Sequence, residues 1–142
     1  MKMQIKTAQK RSSNIPKSLT PKLKEIMNND PFMKSCIYEN KLFADIEWEH
    51  SSYYSGRKIH ELWAIVPVRM QYNRNPTGKQ KRFHQWVAHR RWFAASQEYK
   101  AAQQRRYPKH DFYGILRTLE DEFSLNDFPE LSSRIYKYRI EL

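Results

Sequence analysis

The chain has 142 residues, 39% hydrophobic and 14% aromatic, which is enough for one domain with a core but not for two sizeable domains. Its 26 Lys and Arg against 15 Asp and Glu give a net charge of +11, which favours nucleic acid or an anionic membrane surface over a small neutral substrate. The single cysteine, Cys36, excludes an internal disulfide and a four-cysteine zinc site. Since no apolar run has the length of a membrane span or the character of a signal peptide, we expect a soluble protein of a reducing compartment.

The first half of the chain contains signals for one helix and two strands. Residues 1–15 are basic and predict a flexible arm, followed by a single domain over residues 16–142. Thr20 and Pro21 are typical of a helix start, and the run from Asn28 to Pro31 predicts its end. Residues 41–50 and 64–68 have strand character, and we predict that these two segments pair. The loop between them is long enough to carry function.

The sequence of the second half predicts mainly helices. After a turn at residues 75–78, apolar residues recur at helical spacing from Lys79, and we predict one long basic helix that ends at Pro108. Asp111 is typical of the N-cap of a further amphipathic helix. From Ile135 onward, alternation hints at a terminal strand, but the pattern leaves a helix open as well.

The excess positive charge is concentrated in one stretch. From Arg69 to Lys109 the chain has eleven basic residues and one acid, whereas the other 101 residues carry fifteen basic and fourteen acidic side chains. Aromatic residues are interleaved with these charges, a pattern that suits a phosphate backbone, while a solvated helix face normally mixes both signs. We therefore predict nucleic-acid contacts from Arg74, Lys79, Lys81, Arg82, Arg90, Arg91, Arg105 and Arg106.

Adjacent acidic and imidazole groups close the first predicted strand. The Glu49 carboxylate can bind a hard divalent ion, and the neighbouring His50 imidazole can take a proton from an attacking water. Asn73 can supply a second, neutral oxygen ligand to the same ion. Each residue has an ordinary alternative: Glu49 as a surface carboxylate, His50 as a satisfied strand-end histidine, and Asn73 as a turn residue.

Three motifs resemble the core of HNH, or ββα-metal, endonucleases, particularly phage-type members: EWEH at residues 47–50, a GR pair at residues 56–57, and WAIVP at residues 63–67. The resemblance covers residues 47–74. It implies an α+β fold in which helices surround a ββα-metal core of about residues 41–95. It also implies Glu49 as the first metal ligand, His50 as the general base and Asn73 as the last ligand. Either Arg57 or Arg74 could clamp the scissile phosphate through its planar fork, and Arg57 is preferred because it follows Gly56 in the loop and is part of the resemblance.

The sequence departs from that family at several positions. Many relatives carry cysteine or histidine pairs for a structural zinc, but only Cys36 remains before the first strand, and Arg69 and Tyr72 occupy the positions of the later pair. We therefore expect no structural zinc and one divalent cation, Mg²⁺ or Mn²⁺. The break at residues 76–78 predicts Asn73 on a short turn, and Asn75 is an alternative ligand if the register slips.

We predict a metal-dependent DNA endonuclease that holds DNA mainly by backbone contacts, in the cytoplasm of a bacterial host if the chain is phage-encoded. One alternative is a nucleic-acid-binding protein of this scaffold that has lost catalysis. The other is a phage-encoded inhibitor that docks on an acidic enzyme surface. The remaining histidines, His60, His84 and His89, are expected to contact phosphate or face solvent. The sequence does not specify an oligomeric state.

Overall fold

The computed structural model describes residues 15–141, so the predicted arm lies almost wholly outside the described residues. Helices and short strands alternate in the first half, and helices make up the second. In chain order the elements are α1 (Pro21–Asn29), β1 (Ile46–His50), β2 (Tyr53–Tyr54), β3 (Arg57–Lys58), β4 (Ile65–Arg69), α2 (Met70–Arg74), α3 (Gly78–Ala94), α4 (Gln97–Arg106), α5 (Phe112–Glu120) and α6 (Pro129–Lys137). Single 3-10 turns cover Pro31–Lys34, Leu62–Ala64 and Leu125–Asp127.

Two helix starts follow the local sequence as predicted. The Thr20 hydroxyl accepts a hydrogen bond from the Leu23 N–H at 3.1 Å, with Pro21 as the first residue of α1. The Asp111 carboxylate accepts from the Gly114 N–H at 3.0 Å and caps α5. Both caps satisfy N–H groups that have no partner within the helix, so these predictions are confirmed.

Strands β1 and β4 form an antiparallel pair, as predicted, in which His50 is opposite Ile65 and Ile46 is opposite Arg69. Strand β1 begins at Ile46, five residues later than expected, because residues 41–45 form bends and turns. Directly after β4 comes α2, which contacts both strands. Asn73 therefore lies on a short helix, and the prediction of a turn at this residue was wrong.

The predicted long basic helix is two helices. The Thr77 and Gln80 side chains form a reciprocal capping box that starts α3. At Ala95 the backbone becomes extended, and the Ser96 hydroxyl accepts from the Tyr99 N–H to start α4. A serine N-cap therefore interrupts the run twelve residues before Pro108. Of the two alternatives left open from Ile135 onward, the structure has the helix, since α6 covers residues 129–137.

The core lies where α3 packs against β4, α5 and α6, and three tryptophans in it, Trp63, Trp86 and Trp92, are fully buried. Arg134 of α6 fixes the segment before β1. Its guanidinium donates to the carbonyl oxygens of Phe32, Ser35 and Cys36 at 2.8 to 3.1 Å. These bonds give three loop carbonyls the partners that a buried acceptor requires.

The observed mixture of helices with small antiparallel sheets agrees with the predicted α+β class. Among residues 15–141, no helix combines the length and the apolar character needed to cross a bilayer.

Candidate nucleic-acid site

The two faces of β1 carry different polar groups. In a strand, successive side chains point to opposite faces, so Glu47 and Glu49 share one face while Trp48 and His50 share the other. The contacts of Glu47, Glu49 and His50 follow this alternation. The predicted metal ligand Glu49 and the predicted base His50 are therefore adjacent in sequence but have different surroundings.

Asn73 reaches back from α2 to the first of the two glutamates. Its amide Nδ2 donates to Glu47 Oε1 at 2.9 Å, and Arg74 donates to Glu47 Oε2 at 2.7 Å. These hydrogen bonds from Asn73 and Arg74 lower the pKa of Glu47. Asn73 thus contacts Glu47, which lies two residues before the predicted ligand Glu49 in the strand. The alternative ligand, Asn75, forms the C-cap of α2.

Glu49 is engaged by helix α3. Its carboxylate contacts Nδ1 of His84, a fully buried side chain, and the His84 Nε2 atom lies 2.7 Å from the Tyr38 hydroxyl. Burial, together with the nearby Glu49 charge, raises the pKa of Tyr38, which keeps the phenol protonated. Glu49, His84 and Tyr38 therefore form a chain of polar contacts that runs into the protein. The expectation that His84 faces phosphate or solvent was wrong.

On the opposite face, His50 pairs with a loop histidine. The His50 Nε2 and His60 Nδ1 atoms are 3.0 Å apart, and the two rings meet edge to face with centroids 4.8 Å apart. Burial, together with the neighbouring His60 and Lys58, lowers the pKa of His50 to about 4. His50 is therefore uncharged at neutral pH and its imidazole can accept a proton.

His60 also lines a cavity of about 270 Å³, which we call the hairpin cavity. It lies beside the short β2–β3 hairpin, whose loop residues Ser55 and Gly56 both have positive φ. Its lining consists of Lys17, Tyr54, Arg57, Lys58, His60 and Tyr107, together with Ile15, Pro16 and Ser55. The predicted phosphate clamp, Arg57, is thus placed on the cavity that His60 connects with His50.

Most arginines of the basic stretch are paired with acids from outside it. Six of its eleven basic residues form ion pairs: Arg69 with Asp45, Arg74 with Glu47, Arg82 with Glu122, Arg90 with Glu120, Arg91 with Asp30, and Arg106 with Glu61. These pairs neutralise much of the local charge that the sequence assigns to this stretch. Lys79, Lys81 and Arg105 form no ion pair with residues 15–141, and for them nucleic-acid contact stays a prediction.

For Arg91 the predicted nucleic-acid contact was wrong. Its side chain is 1% exposed and is paired with Asp30, and its guanidinium lies 4.2 Å from the Phe32 ring centroid. A buried arginine cannot meet a phosphate backbone while the fold is intact. His89 is buried as well, with Nδ1 2.7 Å from the Gln85 carbonyl oxygen and Nε2 3.0 Å from His110 Nε2, so the expectation that it faces solvent was wrong too.

The donor set at β1 has the right chemistry for a hard cation but is not assembled around one point. The Glu47, Glu49 and Asn73 side chains offer carboxylate and amide oxygens, which Mg²⁺ and Mn²⁺ prefer. Within the described part of the chain, no group of three or more His, Cys, Asp or Glu side chains is placed to hold a metal ion. The polar contacts of Glu49, His50 and Asn73 go to three different partners: His84, His60 and Glu47.

Several residues of this region were missed by sequence reasoning. Glu61 is buried and accepts hydrogen bonds from Gln103, Arg106 and Tyr107, which join the loop to α4. Tyr38 and Lys17 belong to segments that carry no motif. One signal was available for Lys58, since it directly follows Arg57 in the loop expected to carry function.

We compared the chain with known protein families, curated proteins and solved structures, and found no match in any of the three.

Proposed function

We propose that this protein binds nucleic acid and hydrolyses its phosphodiester bonds as an HNH-type endonuclease, with His50 as the general base. One observation carries the proposal. His50, which is uncharged at neutral pH, is hydrogen-bonded to His60, and His60 lines the hairpin cavity together with Arg57 and Lys58. The chain order β1, β4, α2, α3 supports it too, because two antiparallel strands followed by helix is the ββα order that the resemblance implies.

The residues of the cavity give each proposed step a chemical basis. Arg57 presents a planar fork of N–H donors that suits two oxygens of one phosphate. His60 holds the His50 ring through Nε2, and the other ring nitrogen of His50, Nδ1, would accept the proton of the attacking water. A bound phosphate brings negative charge near His50, which raises its pKa and makes it a stronger base at neutral pH.

The oxygen donors of Glu49 and Asn73 suit Mg²⁺ or Mn²⁺ in kind. To hold such an ion together, the two side chains would have to leave their present partners, His84 and Glu47. When bound, such an ion stabilises the negative charge that develops on the phosphate and the leaving oxygen.

A second candidate function is nucleic-acid binding without cleavage. The contact between Glu49 and buried His84 favours it, as does the hydrogen bond that ties Asn73 to Glu47. Both contacts occupy groups that a cleaving site would need for a metal ion.

A plasmid-nicking assay with Mg²⁺, Mn²⁺ or EDTA distinguishes the two. We expect the unaltered protein to convert supercoiled plasmid to nicked circles with either ion and not with EDTA. His50→Ala should lower the rate by about 10²-fold or more, the range of general-base catalysis. Lys34→Ala, on an exposed 3-10 turn, is the control and should cut at the original rate.

The remaining outcomes are also decisive. Cleavage that survives His50→Ala removes His50 as the base. Plasmid that is retained in a gel shift but never cut supports the non-cleaving protein. If neither DNA nor RNA binds at low salt, both nucleic-acid functions fail and the inhibitor alternative gains support.

A further inference from the structure

The hairpin cavity differs from the rest of the basic surface in its charge. Lys17, Arg57, Lys58 and His60 contribute to its lining, and no Asp or Glu is among the lining residues in the described part of the chain. Arg57 and Lys58 form no ion pair with residues 15–141. The nearest acid in sequence, Glu61, accepts hydrogen bonds from Gln103, Arg106 and Tyr107 instead. The cavity therefore concentrates uncompensated positive charge, which attracts an anion.

Local contacts hold the hairpin side of the cavity in place. Left-handed φ values at Ser55 and Gly56 make the tight two-residue loop that joins β2 to β3. The buried Ile59 donates its N–H to the Ser52 carbonyl at 3.0 Å, and the Tyr54 ring packs edge to face on Tyr107, with centroids 5.2 Å apart. A site that is already ordered loses little conformational entropy when it binds its ligand.

The volume of the cavity limits what can enter it. About 270 Å³ is close to the lower limit of small-molecule sites. A continuous duplex is far too wide to enter and can only lie across the mouth. The volume suits one phosphate with its sugar, and the lining offers Arg57 and Lys58 for the oxygens and two tyrosine rings for the carbon atoms.

We infer that the hairpin cavity binds a phosphate monoester, the group found at the end of a nucleic-acid strand or on a free nucleotide. This inference deepens the proposed function and rests on it for the nucleic-acid source. A monoester carries more negative charge than the diester inside a strand, so the convergent cations favour an end over an internal phosphate. The cavity then places the end of a strand next to the His50–His60 pair, whereas an internal phosphate of a circular duplex would reach the exposed Arg57 only at the cavity mouth.

The test is fluorescence anisotropy in EDTA, with short duplexes that differ only in their ends: 5′-phosphate, 3′-phosphate or hydroxyl. We expect a phosphorylated end to bind about tenfold more tightly than the hydroxyl end, the effect of one charge-assisted contact. Arg57→Ala and Lys58→Ala should each reduce that preference, and Lys34→Ala should leave it intact. Arg57 and Lys58 are exposed, so both variants should fold, which circular dichroism checks.

Unlabelled competitors identify the source of the phosphate. A phosphorylated duplex that competes better than a free mononucleotide or inorganic phosphate assigns the cavity to strand ends, and the reverse order assigns it to free nucleotides. Equal binding of phosphorylated and hydroxyl ends, with no competition by mononucleotide, overturns the inference. Circular plasmid that still shifts in a parallel gel assay shows that nucleic acid binds without the cavity, and the nicking assay then decides the proposed function. Loss of all nucleic-acid binding rejects that function as well.

Discussion

The β2–β3 hairpin and helix α3 both carry basic side chains, but only the helix has its arginines matched by acids. In α3, Arg82, Arg90 and Arg91 pair with Glu122, Glu120 and Asp30. On the hairpin, Arg57 and Lys58 have no such partner among residues 15–141 and line a cavity instead. The difference shows that a count of charges along the sequence does not locate a binding surface, because the available charge depends on which acids the fold brings to each cation.

The largest expected effect tests whether α3 uses its arginines for folding. Arg91→Met removes one partner of a buried ion pair and leaves Asp30 without its cation. The free energy of unfolding should fall by about 3 to 5 kcal/mol in urea titrations. Arg105→Met, at an exposed position of α4, is the matched control and should have little effect. Equal losses in the two variants would contradict a structural role for Arg91.

Acid should weaken the helical half through its buried histidine. Burial is the main cause that lowers the pKa of His89 to about 4, while the same group in the unfolded chain titrates near 6.5. His89 therefore costs little stability above pH 6.5. The free energy of unfolding falls as the pH drops from 6.5 toward 4, because the unfolded chain binds the proton more readily than the folded protein does. At pH 5 this one group should cost about 2 kcal/mol relative to pH 7.

Urea titrations at pH 7, 6 and 5 test this, since most carboxylates remain charged over that range. His50, whose pKa is also about 4, adds to the dependence of the free energy of unfolding on pH. The His50→Ala variant should therefore retain the part of this dependence that comes from His89. A flat profile in the unaltered protein would show that neither histidine is held neutral.

A glycine tests the geometry of the hairpin. Gly56 has a φ of +79°, and a Cβ at this position would meet no atom within 4 Å, so a substitution acts through backbone strain alone. Gly56→Ala should cost about 1 kcal/mol and weaken the binding of phosphorylated ends. Gly78→Ala, at the first position of α3, is the control, because alanine favours the helix and its Cβ would meet only the Arg82 side chain. Equal effects of the two variants would remove the special role of the hairpin loop.

The smallest expected effect compares one arginine from each region. The guanidinium of Arg82 donates twice to Glu122, so Arg82→Ala should change the salt dependence of nucleic-acid binding less than Arg57→Ala does. Loss of one phosphate contact at Arg57 should lower the slope of log affinity against log salt by about one. Binding isotherms from 50 to 200 mM salt measure both slopes. A larger change for Arg82 would place the binding surface on α3.

The parts of the fold that could be predicted are those that depend on neighbours in sequence. Thr20 and Asp111 cap helices through bonds that reach only three residues along the chain. The pairing of β1 with β4 followed from two apolar or β-forming runs. The end of α3 at Ala95 has a local signal as well, since Ser96 precedes Glu98 in the manner of an N-cap, but the continuous basic pattern obscured it.

The site could be predicted only in part, because its contacts join distant segments. Glu49 meets His84 on α3, and Arg91 meets Asp30, at separations that no local pattern encodes. The alternation of side chains along a strand does predict that Glu49 and His50 face opposite ways, and their contacts agree. The partners that occupy each face become visible only once the helices are packed.

The bonds of Arg134 have a consequence for the order in which the protein assembles during synthesis. The carbonyl oxygens of Phe32, Ser35 and Cys36 accept hydrogen bonds from Arg134, which is translated about a hundred residues later. Tyr38, which follows this loop closely and contacts His84, gains its final support only after α6 has emerged from the ribosome. A nascent chain that stalls before residue 134 should therefore present an incomplete Glu49 environment, whatever the state of its strands.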